Sequence, residues 1–156
     1  MPSEADADGV RQRTMAVARQ YQSLLAQGRL DEWIDLWDED GVLEFPFAPT
    51  RHVIAQHGKT EILAYMRAAA GGIVTDEVTE LRAHPGLDPE ILVVELETRG
   101  HLAETGAPYD QKYVCIFQTH GGRILRYREY WNPLISIEAH GGLDQWRASH
   151  SSQAPG

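Results

Sequence analysis

Apolar positions recur at three- and four-residue spacing through the first part of the chain. Val10, Thr14, Val17, Ala18, Tyr21, Leu24 and Leu25 lay one stripe along a helix from about Val10 to Gln27. Asp8 is its expected cap, and Gly28 its left-handed stop. A short second helix over residues 31–38 buries Leu30, Trp33, Ile34 and Trp37. Residues 41–45 read as a strand ended by Pro46, and residues 46–57, with two prolines and no period, as a loop. Ile62, Leu63, Tyr65, Met66 and Ala69 mark a third helix over residues 59–70, closed by Gly71-Gly72.

The pattern then changes to strand-like runs over residues 73–84, 90–103, 109–119 and 123–131. The separators are short and rich in Gly and Pro, which predicts an antiparallel meander. Pro133 stops the last strand, and a short helix interrupted by Gly141-Gly142 is expected between Ile135 and Trp146. The class is α+β: a curved antiparallel sheet wrapped around three N-terminal helices, leaving a cone-shaped cavity. One domain spans residues 10–147, and residues 1–9 and 148–156 are expected to be disordered tails because they lack an apolar face.

Composition narrows the function. Fourteen Lys and Arg against 23 Asp and Glu give a net charge of −9, which opposes nucleic acid and anionic membrane surfaces as partners. No apolar run reaches the roughly 20 residues of a bilayer span. The acidic N-terminus is unlike a signal peptide, so a cytoplasmic protein is expected. Cys115 is the one cysteine and lies in an alternating strand, where it reads as a small buried residue. No His-x-His or His-x3-His spacing occurs with a nearby carboxylate, so no metal site is expected. Neither a phosphate-cradling glycine loop nor a Gly-x-Ser-x-Gly elbow is present, and no cofactor is expected.

The most specific segment is Gly122-Arg123-Ile124-Leu125-Arg126-Tyr127-Arg128-Glu129-Tyr130-Trp131-Asn132-Pro133-Leu134. With Val53-Ile54-Ala55-Gln56-His57-Gly58-Lys59, with Pro108-Tyr109-Asp110-Gln111-Lys112-Tyr113, and with the element order, it resembles the nuclear transport factor 2-like superfamily. Within it, the chain looks like the SnoaL-like and phenazine-biosynthesis A/B branch. The resemblance covers roughly residues 10–145. It implies a homodimer, with Arg126, Arg128 and Tyr130 on the candidate surface, and puts a pocket acid at Glu129. The phenazine branch carries a histidine on the third helix where this chain has Tyr65, which tells against phenazine condensation itself.

Strand alternation points to Glu129 independently. Leu125, Tyr127, Glu129 and Trp131 share one face, and Ile124, Arg126, Arg128 and Tyr130 the other. A lone carboxyl among aromatic rings is desolvated, which raises its pKa toward a useful working pH. The alternative is a solvent-facing Glu129 paired with a neighbouring cation, and a bulge between Gly122 and Glu129 would invert the assignment.

The expected function is a cofactor-independent isomerase, cyclase or dehydratase acting on a small, mostly apolar carbonyl compound. Glu129 would move the proton, and Tyr65 or Tyr113 would steady the oxygen. His52, Phe45, Phe47, Trp37, Tyr127 and Trp131 would shape the pocket with Tyr113. A non-catalytic ligand-binding or dimerisation module of the same fold is the competing reading.

Overall fold

Ser3 opens the first helix, α1 (Glu4–Ala26). Its hydroxyl accepts a hydrogen bond from the Asp6 N–H at 3.2 Å, while the Asp6 carboxylate accepts from the Ser3 N–H at 3.1 Å. This reciprocal box, with Glu4 and Asp6 in the first turn, starts the helix well before its apolar stripe. Residues 4–9 are therefore helical rather than tail, and Asp8 lies inside the helix, where it pairs with Arg11 at 3.0 Å. The computed structural model describes residues 3–151, the Leu81 side chain excepted. Residues 1–2 and 152–156 of the expected tails lie outside that range.

Gly28, at φ 68°, turns the chain into α2 (Leu30–Trp33), which is shorter than expected. It passes through a 3-10 turn (Ile34–Leu36) into β1 (Trp37–Phe45). Trp37 has extended backbone and pairs with Ile124, so its ring enters the core from the sheet rather than from a helix. A bulge between Trp37 and Val42 brings Gly41 against that ring; a Cβ there would lie 2.7 Å from the indole. Residues 46–57 are not all loop. β2 (Ile54–His57) folds back antiparallel on β1, a four-residue edge too brief to show alternation.

After α3 (Gly58–Ala69) come β3 (Ile73–Pro85), β4 (Ile91–Leu102), β5 (Gln111–His120) and β6 (Arg123–Trp131). The sheet order is β2-β1-β6-β5-β4-β3. The last four strands form the expected antiparallel meander, and β1 joins β6 in parallel. The fold is thus α+β, with a curved, largely antiparallel sheet wrapped around the N-terminal helices.

A register shift between Gln118 and Thr119 places one extra residue in β6, between Ile124 and Arg126. Ile124 consequently joins Tyr127 in the interior, whereas Leu125 lines an outer groove with Arg126 and Arg128. The sequence-based faces are wrong for Ile124 and Leu125 but hold beyond the bulge, because the irregularity precedes Tyr127.

The main core is aromatic. Tyr21 of α1 lies 4.6 Å from Tyr127, 5.2 Å from Phe117 and 5.2 Å from Trp33, ring centre to ring centre. Trp33 and Trp37 are fully buried beside them. Each such ring removes roughly 150–250 Å² from water, so this cluster dominates the burial that holds helices to sheet.

Candidate active site

Beyond that packed cluster the concave side of the sheet is hollow. A cavity of about 570 Å³ lies between β5, β6 and α3, under two further helices, α4 (Pro133–Ala139) and α5 (Leu143–Ser149). The Asn-Pro pair of the last-strand motif builds this roof. Asn132 Oδ1 accepts from the Leu134 N–H at 3.0 Å, and Pro133 occupies the first helical turn. Buried Gln111 holds the joint from both sides. Its Nε2 donates to the Asn132 carbonyl at 3.0 Å, and its Oε1 accepts from the Asn132 N–H at 3.1 Å. Trp146 anchors α5 by packing near Ala48 and Ile54 and donating its indole N–H to Ser136 Oγ at 2.9 Å.

Glu129 faces this cavity from β6, opposite Cys115 of β5. The Tyr127 hydroxyl donates to Glu129 Oε2 at 2.7 Å and lies 3.1 Å from Cys115 Sγ. Burial pushes the carboxyl up to about 7, and the Tyr127 hydrogen bond pulls the other way. The surrounding phenols move in the same direction. Burial, then the charge of Glu129, pushes Tyr65 up to about 12 and raises Tyr113 further. Tyr109 is also raised, mainly by burial. These hydroxyls remain neutral donors throughout the ordinary pH range. Cys115 is raised by burial and then by Glu129, so its thiol stays protonated rather than nucleophilic.

Five of the nine expected site residues meet at the cavity: Glu129, Tyr65, Tyr113, Trp131 and Phe45. Tyr127 does not reach it; it stands behind Glu129 in the aromatic core, 1% exposed. Trp37 is also walled off, because it belongs to β1 at the packed end. Phe47 is 58% exposed and packs edge-on against Tyr130, outside the cavity. His52 lies exposed on the loop before β2 and does not line the cavity. Both loop residues follow Pro46, where alternation no longer says which way a side chain points.

Tyr21, Tyr109, Ser136, His140, Trp146 and His150 also line the cavity. Tyr109 was visible in the Pro108–Tyr113 segment that resembles the strand before the last. The roof residues carried no signal beyond a short helix broken by two glycines. Among the described residues, no three His, Cys, Asp or Glu gather as a metal cluster, and no helix is long and apolar enough to cross a membrane.

Residues 17–127 match the SnoaL-like domain family. YesE, an uncharacterised protein of Bacillus subtilis, is 36% identical over 124 residues, covering 80% of this chain and 84% of its own. The uncharacterised PhzA/B-like protein PA3332 of Pseudomonas aeruginosa is 35% identical over 121 residues, covering 78% and 85%. A crystal structure from Bacillus subtilis, named as a candidate isomerase, superposes with a TM-score of 0.79 at 34% identity, covering 85% of this chain and 95% of that one.

Proposed function

The chain belongs to the SnoaL-like family of the nuclear transport factor 2-like superfamily, and from that premise we propose that it is a cofactor-independent acid–base enzyme for a small, mostly apolar carbonyl compound. The observation that carries this reading is Glu129: a carboxyl titrating near neutrality that opens onto a 570 Å³ cavity ringed by neutral phenols. Oε2 is taken by Tyr127, which leaves Oε1 for the ligand. The carboxylate removes a proton from carbon next to the carbonyl, and the developing enolate oxygen accepts hydrogen bonds from Tyr113 or Tyr65. Returning a proton from the carboxyl to another carbon of the enolate regenerates the carboxylate and completes an isomerisation, and exchange of that proton with solvent before its return labels the product. The aromatic walls hold the ligand body and keep water from the enolate.

The test is solvent-deuterium incorporation into a panel of enolisable ketones, beginning with those that bind. Glu129→Gln should cut exchange by about 10²–10⁴-fold while retaining ketone affinity. Full exchange in that variant would remove Glu129 from the mechanism.

Tyr65 favours a second reading. With its hydroxyl held at about 12, it supplies no second base where the phenazine branch has histidine. Retention of a small ligand without exchange in any bound ketone would make the protein a ligand-binding module. The homodimer implied by the family would use the outer sheet face, where Val114 is 39% exposed beside the β6 arginines and Tyr130.

A further inference from the structure

His140 and His150 lie ten residues apart, and the roof brings them together at the cavity. Each follows the last residue of a helix, and each places Nδ1 2.7 Å from a carbonyl oxygen four residues back: Ser136 for His140 and Trp146 for His150. In a neutral ring this bond makes Nδ1 the donor and leaves Nε2 as a bare lone pair. That is the preparation a metal-binding imidazole ordinarily receives from its backbone partner. The His150 ring is fixed further by stacking on Trp146 at 4.0 Å and 12°.

The ring separation fits a shared ion. A metal–nitrogen bond of about 2.0–2.1 Å sets an imidazole centre roughly 3.2 Å from the ion, and two rings at about a tetrahedral angle then stand roughly 5.2 Å apart. The observed centres are 5.1 Å apart with planes at 64°. A single hydrogen-bonded oxygen between the two rings would hold them about 1 Å farther apart. Both histidines sit at helix C-termini, the negative ends of the helix dipoles, which favour a cation.

We propose that His140 and His150 form a two-imidazole site for a borderline divalent metal ion at the rim of the cavity. The histidines supply two positions, and water or an oxygen of a cavity ligand completes the shell. Imidazole donors select late first-row ions, with Cu2+ bound most tightly and Ni2+ and Zn2+ following. The site is independent of the carboxyl chemistry assigned to Glu129.

The experiment uses the full chain without an affinity tag. Cu2+ and Zn2+ are titrated by calorimetry, and Cu2+ is also followed by quenching of tryptophan fluorescence. One equivalent should bind, with Cu2+ the tighter, and the Cu2+ resonance spectrum should show two imidazole nitrogens. His140→Asn and His150→Asn, chosen because Asn is well tolerated at helix ends, should each weaken binding at least tenfold. His84→Asn and Glu129→Gln should leave it unchanged. Circular dichroism checks that the variants keep their helices, and His140→Ala serves in place of an Asn variant that does not. The proposal is overturned if the double variant binds as the parent does, or if the parent takes up no ion beyond what the double variant takes up.

Discussion

The two ends of the sheet's concave face use similar residues and reach opposite outcomes. At one end Phe117, Ile124 and Tyr127 meet Tyr21, Trp33 and Trp37, and the space is filled. At the other, on the same two strands, Tyr113, Glu129 and Trp131 face a cavity. The difference is what crosses above. The long helix α1 and the α2 turn bring large rings onto the first end. The second is spanned by α3 and two seven-residue helices that pack on one another and on the rim. An aromatic strand position is therefore neither core nor wall by itself. The element opposite decides.

Four substitutions test that contrast, beginning with the largest effect. Trp37→Ala should cost about 3–5 kcal/mol of stability, because the ring is fully enclosed and its loss leaves an internal void. Trp131→Ala should cost well under half as much, since that ring already borders open space, and should instead weaken ligand binding. Denaturant unfolding of both variants measures this, and equal losses would erase the distinction between the two ends.

Acid dependence sharpens the contrast. Glu129 titrates at about 7 in the native protein against an ordinary 4.5. Between those values the native state holds more protons than the unfolded chain, so the contribution of Glu129 to stability falls as pH rises from about 4.5 to 7. The full effect above pH 7 is about 3 kcal/mol. Glu129→Gln should abolish that part of the slope and be the more stable protein at pH 8. Parallel slopes for the two proteins in denaturant melts would contradict the raised titration of Glu129.

The smallest effect tests the boundary between the two ends. Tyr127→Phe removes the hydrogen bond that holds the Glu129 pKa down, so the carboxyl should titrate at still higher pH, with the fold retained. Carbon-13 NMR of labelled glutamate reads the shift directly. A downward shift would show that Tyr127 does not donate to Glu129.

Much of this was legible beforehand. The meander and the inward placement of Glu129 follow from alternation, and alternation survived because the bulge falls before Tyr127. The start of α1 was missed because apolar spacing marks a buried stripe, whereas Ser3 and Asp6 nucleate the helix through caps alone. β2 is too brief to show alternation, and the parallel β1–β6 pair depends on a partner distant in sequence. The roof was hidden for a related reason. Trp146, His140 and His150 acquire their places only after Asn132 and the glycine pair reverse the chain, and no periodicity encodes that path. Trp37 and Tyr127 were expected at the pocket and lie in the packed core instead, because which end of the sheet is hollow depends on helices that strand patterns do not register.

Gln111 has a mechanical consequence. By gripping both the N–H and the C=O of Asn132, it makes the end of the wall and the first residue of the roof a single rivet. Wall and roof therefore cannot drift apart at that joint. Within the roof, the pivot for widening to admit a bulkier guest is Gly141 and Gly142, whose backbones at φ 89° and 134° tolerate rotations that other residues resist.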